Sequence, residues 1–280
     1  MKKYIALKLF VPEEYQDTFI AMISDLEFTG IEQHNDEITI NFPATYYNED
    51  IKNELSSICT NHKDTINILS IEIIEEKNWN EEWEKNLEAV IVNNKLVIAP
   101  KNKSDQFTEY KYVIKIDPQM SFGTGYHATT RLASKLLLST VNDNEKWLDA
   151  GTGTGVLAIL ASKLGAKEVF AFDVEDWAVK NAKENVKINE CEGIIIDKLD
   201  LNSVHLENYN GIVANIFANI LIDNMSKFYR SLSSSNFLIC TGILKYDKIK
   251  VLEAANMEGF ELETEIAEDE WIAYKFRKIK

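Results

Sequence analysis

The chain has 280 residues, which is more than one typical domain needs, so we expect one large domain and one smaller one. Its formal net charge of -15 repels phosphate backbones, which excludes charge-driven binding of DNA or RNA and favours a basic protein as partner. Cys59, Cys191 and Cys240 lie far apart without a C-x-x-C pair, so neither a disulfide framework nor a zinc site is expected.

The amino terminus predicts neither secretion nor a membrane anchor. Met1 to Phe10 alternates polar and apolar residues and lacks the apolar core of a signal peptide. No run approaches the roughly 20 apolar residues that a membrane-spanning helix needs. We therefore expect a cytoplasmic protein, and its oligomeric state is not predicted.

Residues 1–75 are predicted to form a compact α+β unit. Apolar alternation predicts strands, and a helical period predicts helices, at 4–11 (strand), 13–26 (helix), 37–42 (strand), 49–59 (helix) and 66–74 (strand). Gly30 is expected to end the first helix. Acidic residues outnumber basic ones in this unit, which fits a docking face for a basic partner or simply a solvated surface.

The next part of the chain, residues 76–120, is predicted to link the two domains. It begins as a charged stretch in which Trp79 and Trp83 lie four residues apart, on one face of a predicted connecting helix. Strands are predicted at 95–99 and 112–116, before the turn signal Asp117-Pro118.

A glycine-rich segment follows at Ser121 to Arg131. Gly123 and Gly125 allow a sharply turned loop, and Thr129 or Thr130 can cap the helix that comes next. A loop of glycines, hydroxyls and one aromatic in front of an α/β unit is also typical of the lid of a cofactor pocket. Helix capping and a lid are therefore both open interpretations.

The most informative stretch is Trp147 to Gly155, an apolar run that ends in three alternate glycines and is followed by an apolar helix-forming run. This pattern predicts a strand, a tight turn and a helix around a small ligand. The dinucleotide fingerprint G-x-G-x-x-G needs glycine at position 156, where this chain has Val156, so NAD is the weaker interpretation. A cofactor without a pyrophosphate fits better, because no phosphate then requires the helix N-terminus.

Beyond this turn, strand and helix patterns alternate, which indicates parallel βαβ units in a doubly wound α/β domain over 121–280. Asp173 is predicted at a strand end about twenty residues after the turn, where a carboxylate can accept hydrogen bonds from both ribose hydroxyls of an adenosine. Its alternative role is a helix N-cap, for which Asp176 is better placed. Asn215 ends another predicted strand, at the edge where open α/β sheets bind ligands.

The rest of the domain follows the same alternation. Helices are predicted at 176–189, 228–234 and 248–257, and strands at 169–174, 193–196, 211–215, 237–241, from 259, and 271–276. No internal repeat or low-complexity tract interrupts them.

Three separated segments together resemble the ribosomal protein L11 methyltransferases, a family of S-adenosylmethionine-dependent enzymes. They are Asp117 to Arg131, Leu148 to Ile159 and Val213 to Ile216, and weaker similarity lies in Trp79 to Trp83 and Thr241 to Leu244. The resemblance implies a seven-stranded class I methyltransferase (Rossmann-like) domain over 121–280, with its last strand antiparallel. It also implies that the small N-terminal α+β domain recognises the substrate.

The same resemblance implies a reaction and a site. The reaction is transfer of methyl groups from S-adenosylmethionine to lysine side-chain amines and the N-terminal amine of ribosomal protein L11, a basic protein. Carried over by position, the cofactor contacts and their neighbours are Thr130, Gly151, Asp173 and Asn215, with Phe122, Gly123 and Gly153. No metal is expected, because the departing thioether carries no negative charge. No general base is evident; His127 is the candidate by its place in the motif, and a structural histidine is the alternative.

Two other functions stay open. A methyltransferase of this fold could act on another protein or a small molecule, since Asn215 continues as Ile-Phe-Ala-Asn-Ile where the family has Leu-rich and Pro-containing residues. Glutamine methyltransferases of this fold typically have the sequence Asn-Pro-Pro-Tyr at this point, and the chain lacks it. An NAD-dependent oxidoreductase is the alternative that the fold alone would permit.

Overall fold

A computed structural model describes residues 3–62, 65–75, 87–117, 119, 121–201, 203 and 208–279. The chain divides into two compact units, Met1–Trp79 and Asn80–Lys280. Among the described residues, no helix is long and apolar enough to cross a membrane. The predicted connecting helix with Trp79 and Trp83 falls on residues outside this description.

The first unit is an antiparallel sheet with two helices. Its elements are β1 (Lys3–Phe10), α1 (Gln16–Met22), β2 (Gly30–His34), β3 (Glu37–Pro43), α2 (Glu49–Asn61) and β4 (Asn67–Glu75). The strands lie in the order β2-β3-β1-β4. Alternate residues such as Leu7, Leu9 and Ile40 are fully buried and share one core with Phe19 of α1 and Leu55 of α2. The predicted α+β unit is therefore confirmed.

The first helix is shorter than predicted. A 3-10 turn occupies Glu13–Tyr15, α1 ends at Met22, and Gly30 begins strand β2 instead of ending a helix. Ile23 and Leu26 are nevertheless buried in the core. Because Ile23 and Leu26 are three residues apart, they extend the apolar pattern of the helix into the segment after it. That segment is a turn, in which the amide of Leu26 donates to the carbonyl of Ile23 at 3.0 Å.

The second unit is built on a seven-stranded sheet. Its elements in chain order are β5 (Val90–Ile91), β6 (Leu96–Pro100), β7 (Tyr112–Ile116), α3 (Ala128–Leu137), β8 (Lys146–Ala150), α4 (Val156–Lys163), β9 (Glu168–Asp173), α5 (Asp176–Ile188), β10 (Ile194–Lys198), β11 (Tyr209–Asn215), α6 (Ala218–Asp223), α7 (Met225–Ser231), β12 (Leu232–Leu244), α8 (Lys248–Glu258), β13 (Phe260–Glu268) and β14 (Trp271–Lys278).

The seven strands lie in the order β10-β9-β8-β11-β12-β14-β13. The neighbours from β10 to β12 are parallel, while β14 is antiparallel to both β12 and β13. The predicted doubly wound, seven-stranded fold with an antiparallel last strand is thus confirmed. The strand order reverses between β8 and β11, and this switch point is where ligands of open α/β sheets bind.

Helices cover both faces of this sheet. Successive residues of β8 point to opposite faces, so Trp147 joins the core under α3 and α4 while Leu148 joins the core under α7 and α8. A separate three-stranded sheet, β5-β6-β7, contributes Ile98 and Ile114 to the first of these cores. The predicted strands at 95–99 and 112–116 therefore form part of the large unit's core.

Two predictions near the end of the chain need correction, and one helix was missed. Helix α7 spans Met225–Ser231 and not 228–234, strand β12 is much longer than 237–241, and α6 was not predicted. β12 pairs with β11 on one side and β14 on the other. Among the described residues, both partners pair with β12 from Phe237 onward, whereas the serine-rich segment before it contributes one pair, Leu232 with Tyr209 of β11.

Gly211 is a point of close contact inside the sheet. A Cβ built there overlaps the indole ring of Trp147, which is itself 1% exposed and donates from Nε1 to Glu145 at 2.8 Å. We expect Gly211→Ala to lower the free energy of unfolding by roughly 1–3 kcal/mol through overpacking. Gly30→Ala is the control, because a Cβ there has nothing within 4 Å. Thermal melts of both variants check this; equal melting temperatures would contradict it.

Candidate active site

The glycine turn lies at the switch point of the sheet. It leaves β8 with positive φ angles at Gly151 (76°), Gly153 (54°) and Gly155 (82°), which favour glycine. The amides of Gly151 and Thr152 both donate to the carbonyl of Phe172 at 3.0 Å, which ties the turn to strand β9. Helix α4 then begins at Val156, as the sequence pattern predicts.

A buried carboxyl group, Asp149, lies beneath this turn. Its Oδ2 accepts from Thr152 Oγ1 at 2.7 Å and from the amide of Ala158 at 3.1 Å, so one oxygen holds both the turn and the start of α4. Its Oδ1 is buried and has no hydrogen-bond partner among the described residues. Burial raises the pKa of Asp149 to about 7, and the nearby charge of Asp173 also raises it.

The predicted lid rests directly on the turn. The carbonyl of Phe122 accepts from the amide of Thr154 at 2.8 Å, and the carbonyl of Gly123 accepts from Thr154 Oγ1 at 2.8 Å. A Cβ at Gly153 would overlap the carbonyl oxygen of Phe122. The glycines of both segments therefore allow two backbones to pack without side chains between them. The ring of Phe122 is half exposed above them.

Asp173 lies at the carboxyl end of β9, beside the turn. Its Oδ2 accepts from the amide of Gly153 at 2.9 Å and its Oδ1 from the amide of Glu175 at 3.1 Å. A carboxylate offers about four acceptor positions, so roughly two remain for a ligand. The expectation that Asp176 caps the helix is wrong: Glu175 is the N-cap without a side-chain bond, and Asp176 pairs with Lys198 at 2.5 Å.

Asn215 ends β11, next to the glycine turn. The following residue, Ile216, lies against Gly151, where a Cβ would come within 2.5 Å of Ile216 Cγ2. The backbone of Ile216 also approaches Gly242, which has a φ of 87°. The glycines of two strand ends thus enclose Ile216, a contact that the sequence interpretation did not identify.

The helix after the lid is capped by a histidine. His127 is the N-cap of α3, and its Nδ1 accepts from the amide of Thr129 at 3.4 Å and lies 2.8 Å from Thr129 Oγ1. The expectation of a Thr129 or Thr130 cap is therefore wrong. Thr130 lies in the first turn of α3 and is fully buried, and its Oγ1 has no hydrogen-bond partner in the part of the chain that the structure describes.

The ring of His127 is also packed between two aromatic rings. Its centroid lies 5.1 Å from that of Phe122 and 4.7 Å from that of Trp271. Burial lowers the pKa of His127, and the charge of Arg131 lowers it further. These contacts support a structural role, and its assignment as a general base stays a prediction.

Arg131 fastens the other end of the lid, which the sequence interpretation did not foresee. Its guanidinium donates to the carbonyls of Gly125 and Tyr126 and pairs with Glu268 at 2.5 Å. Lys135 contacts the second oxygen of Glu268 at 2.9 Å. Hydrogen bonds from both cations lower the pKa of Glu268 against the opposing effect of burial. The lid is therefore held at both ends.

Buried polar atoms without partners concentrate around this site. Of the five such side-chain atoms among the described residues, three belong to the lid, its helix or the strand before the turn: Ser121 Oγ, Thr130 Oγ1 and Asp149 Oδ1. Buried polar groups normally have partners, so open ones mark places where a ligand or water can bind. Val174, directly after Asp173, adds an apolar side chain that is 53% exposed. The edge therefore fits a small ligand with both polar and apolar parts.

A separate groove of about 430 Å³ lies at the opposite edge of the sheet. It is lined by residues at the amino ends of the strands, among them Lys146, Glu168 and Tyr209. Ligands of open α/β sheets bind at the carboxyl ends, so we assign the site to the glycine turn. Within the described part of the chain, no group of three or more His, Cys, Asp and Glu side chains is arranged to hold a metal ion.

Comparison with known proteins identifies the family of the chain. The profile of a family described as "Ribosomal protein L11 methyltransferase (PrmA)" matches residues 13–279. A ribosomal protein L11 methyltransferase of Streptococcus pneumoniae is 35% identical over 260 residues, which cover 90% of this chain and 82% of the relative. One of Streptococcus mutans is 38% identical over 211 residues, 75% of this chain and 67% of the relative.

The chain belongs to the ribosomal protein L11 methyltransferase family. A solved structure points the same way: a ribosomal protein L11 methylase from Lactobacillus delbrueckii subsp. bulgaricus is 30% identical, with a TM-score of 0.64 over 69% of this chain and 100% of that one. The chain is thus a methyltransferase, and this membership favours that interpretation over an NAD-dependent oxidoreductase.

The site residues carried over from the family come together at one edge of the sheet. Gly151 and Gly153 lie in the turn, Phe122 and Gly123 in the lid over it, Asp173 and Asn215 at neighbouring strand ends, and Thr130 on α3, which packs against β11 and β12. Their individual contacts with a cofactor stay predictions.

Protonation of Asp149 should control stability in the neutral pH range. Its folded pKa of about 7 lies above the unfolded value near 3.9, so the contribution of the protonated group is complete below about pH 4 and is lost as pH rises through 7. Asp149→Asn keeps an oxygen for Thr152 and Ala158 but cannot ionise. We expect wild type to lose up to about 4 kcal/mol relative to this variant between pH 4 and pH 8. Urea unfolding at both pH values measures this, and parallel pH profiles would refute it.

Proposed function

We propose that this methyltransferase transfers methyl groups from S-adenosylmethionine to amine nitrogens of ribosomal protein L11, on lysine side chains and at the N-terminus. The observation that carries the proposal is the glycine turn at the switch point, with Asp173 hydrogen-bonded beside it. A cofactor that contains adenosine but no pyrophosphate suits this turn. Membership of the L11 methyltransferase family supports both the cofactor and the substrate.

The residues around the turn fit S-adenosylmethionine. The positive φ angles of Gly151 and Gly153 give the turn the shape that would present its backbone to the cofactor, and the free acceptor positions of Asp173 would receive the ribose hydroxyls. Among the described residues, Thr130 Oγ1 and Asp149 Oδ1 are buried atoms without a partner; the threonine hydroxyl can donate or accept, and the ionised carboxylate accepts. These two atoms would contact the polar amino-acid part of the cofactor. Once bound, the cofactor would supply a methyl group from its positively charged sulfur, and the rest of the cofactor would leave as a neutral thioether.

The protein must deliver the acceptor amine without its proton. A lysine amine has a reference pKa near 10.4, so it must be deprotonated before its lone pair can attack. Burial of the amine at the mouth of the site lowers its pKa. Apolar surface for this purpose is available where Phe217, 73% exposed, follows Asn215 and Ile216. Orientation of the two reactants would then supply most of the acceleration.

Recognition of the protein substrate is assigned to residues 1–75. This unit carries an excess of acidic residues, which suits a basic ribosomal protein. A ribosomal substrate also implies that the enzyme works in the cytoplasm. A different acceptor is the second candidate, because Ile216 and Phe217 depart from the family's usual sequence after Asn215.

Cofactor binding should depend on Asp173 and Thr130. We expect Asp173→Ala or Thr130→Ala to raise the Kd for S-adenosylmethionine about tenfold or more, because each removes a hydrogen-bonding group from the site. Asp176→Ala is the control, since this neighbouring carboxylate is exposed and pairs with Lys198. Isothermal titration calorimetry checks the three variants, with circular dichroism to verify folding. Wild-type affinity in both site variants would show that the site is assigned wrongly.

The substrate can be identified by transfer of label. Incubation with methyl-labelled S-adenosylmethionine and total proteins of the large ribosomal subunit should label one basic protein, L11, and residues 80–280 alone should bind cofactor but fail to label it. Mass spectrometry of the labelled band checks the modified amines. Labelling of another protein would redirect the substrate assignment, and undiminished labelling by residues 80–280 would refute the recognition role of residues 1–75.

A further inference from the structure

Three buried asparagines line the inner face of α5. Asn181 and Asn185 are fully buried and Asn189, which ends the helix, is 7% exposed. They lie four residues apart, so they form one row along the helix. We call this row the asparagine ladder. Buried amide side chains are costly unless their polar atoms are paired, so their partners require an explanation.

The ladder pairs with strand β7 as a neighbouring strand would. Asn189 accepts from the amide of Lys115 at 2.9 Å and donates to its carbonyl at 2.6 Å. Asn185 repeats this with Asp117, at 2.8 Å and 3.2 Å. Four residues of helix rise about 6 Å and two residues of strand about 6.6 Å, so the spacings of the two elements nearly match.

This pairing covers an open sheet edge. β7 is the edge strand of its three-stranded sheet. The backbone N–H and C=O groups of its even-numbered residues point toward β6, as the hydrogen bond from the amide of Lys101 to the carbonyl of Ile116 indicates. Lys115 and Asp117 therefore direct their backbone groups away from the sheet. Asn189 and Asn185 provide hydrogen-bond partners for these backbone groups, which is a purely structural function.

Asn185 makes one further hydrogen bond, to the glycine turn, that has no counterpart at Asn189. Its Nδ2 also donates to the carbonyl of Thr154 in the glycine turn, at 2.9 Å. Thr154 is the residue whose amide and hydroxyl hold the lid carbonyls of Phe122 and Gly123. Asn185 therefore joins the glycine turn to Asp117, where the chain enters the lid.

Neighbouring side chains of α5 also form hydrogen bonds to the segment that leads into the lid. Asn181 donates to the carbonyl of Asp117 at 2.8 Å, and Glu184 accepts from the side chain of Gln119 at 2.7 Å. Gln119 has a φ of 45°, which is unfavourable for a residue other than glycine. Such a conformation persists only where surrounding contacts impose it, and α5 supplies them.

We propose that Asn185 is a positioning residue for cofactor binding: it holds the glycine turn and the start of the lid at the separation that the cofactor requires. The inference rests on the proposed function, because it concerns the same site. Asn189 makes matching bonds to β7 but none to the turn or the lid. The two asparagines therefore separate a positioning role from a structural one within a single helix.

The test compares Asn185→Ala with Asn189→Ala. Each variant removes a buried amide that bonds one residue of β7 or its end, so both should lower the melting temperature by similar amounts. Only Asn185→Ala should raise the Kd for S-adenosylhomocysteine, by about tenfold or more, while the Kd of Asn189→Ala stays within about twofold of wild type. Calorimetric titration below the melting temperature of each variant measures this.

A second variant covers the case in which Asn185→Ala does not fold. Asn185→Leu fills nearly the same space without leaving a cavity but loses the donor to Thr154, so it should show the same selective loss of affinity. Wild-type affinity in a folded Asn185 variant, or equal losses in the Asn185 and Asn189 variants, would overturn the positioning role. Failure of the wild-type protein to bind the cofactor product would instead refute the proposed function, so the two failures are distinguishable.

Discussion

Close approach of backbone to backbone at the glycine turn is the constraint on which the site depends. The turn after β8 meets the backbone of the lid at Gly153 and the side chain of Ile216, directly after β11, at Gly151, and in both places a Cβ would collide with its neighbour. Because no side chain intervenes between Gly153 and the lid, hydrogen bonds through Thr154 can hold the lid directly on the turn. Asp149 below and Asn185 beside it hydrogen-bond to Thr152 and Thr154 and complete a buried polar support for the turn.

The parts of this arrangement that follow from local sequence could be predicted. An apolar strand, three alternate glycines and an apolar helix predict the turn from Trp147 to Gly155, because only glycine adopts positive φ there without strain. Asp173 and Asn215 could be placed at the same edge, since the carboxyl ends of parallel strands meet on one side of a sheet. The number of strands in the sheet and its antiparallel last strand were predicted from resemblance to a family, and not from periodicity.

The parts that depend on distant partners could not be predicted. Asparagines at positions 181, 185 and 189 resemble the polar face of a surface helix until β7 is known to lie against them. Arg131 has no visible role before Glu268, more than a hundred residues later, is brought beside it. The cap of α3 went to His127 and not to a threonine, because Phe122 and Trp271 fix the imidazole where it can accept from the helix. Tertiary contacts decided each of these cases over local propensity.

One measurement tests the central claim, that these segments form a single cofactor site, most directly. Hydrogen–deuterium exchange of the wild-type protein, with and without saturating S-adenosylhomocysteine, maps the amides that the ligand protects. We predict slower exchange in the lid at 122–125, in the turn at 151–155 and after the strand ends at 173–175 and 215–217, with no change in the groove beside Tyr209. Protection confined to that groove, or no protection at the turn, would contradict the account.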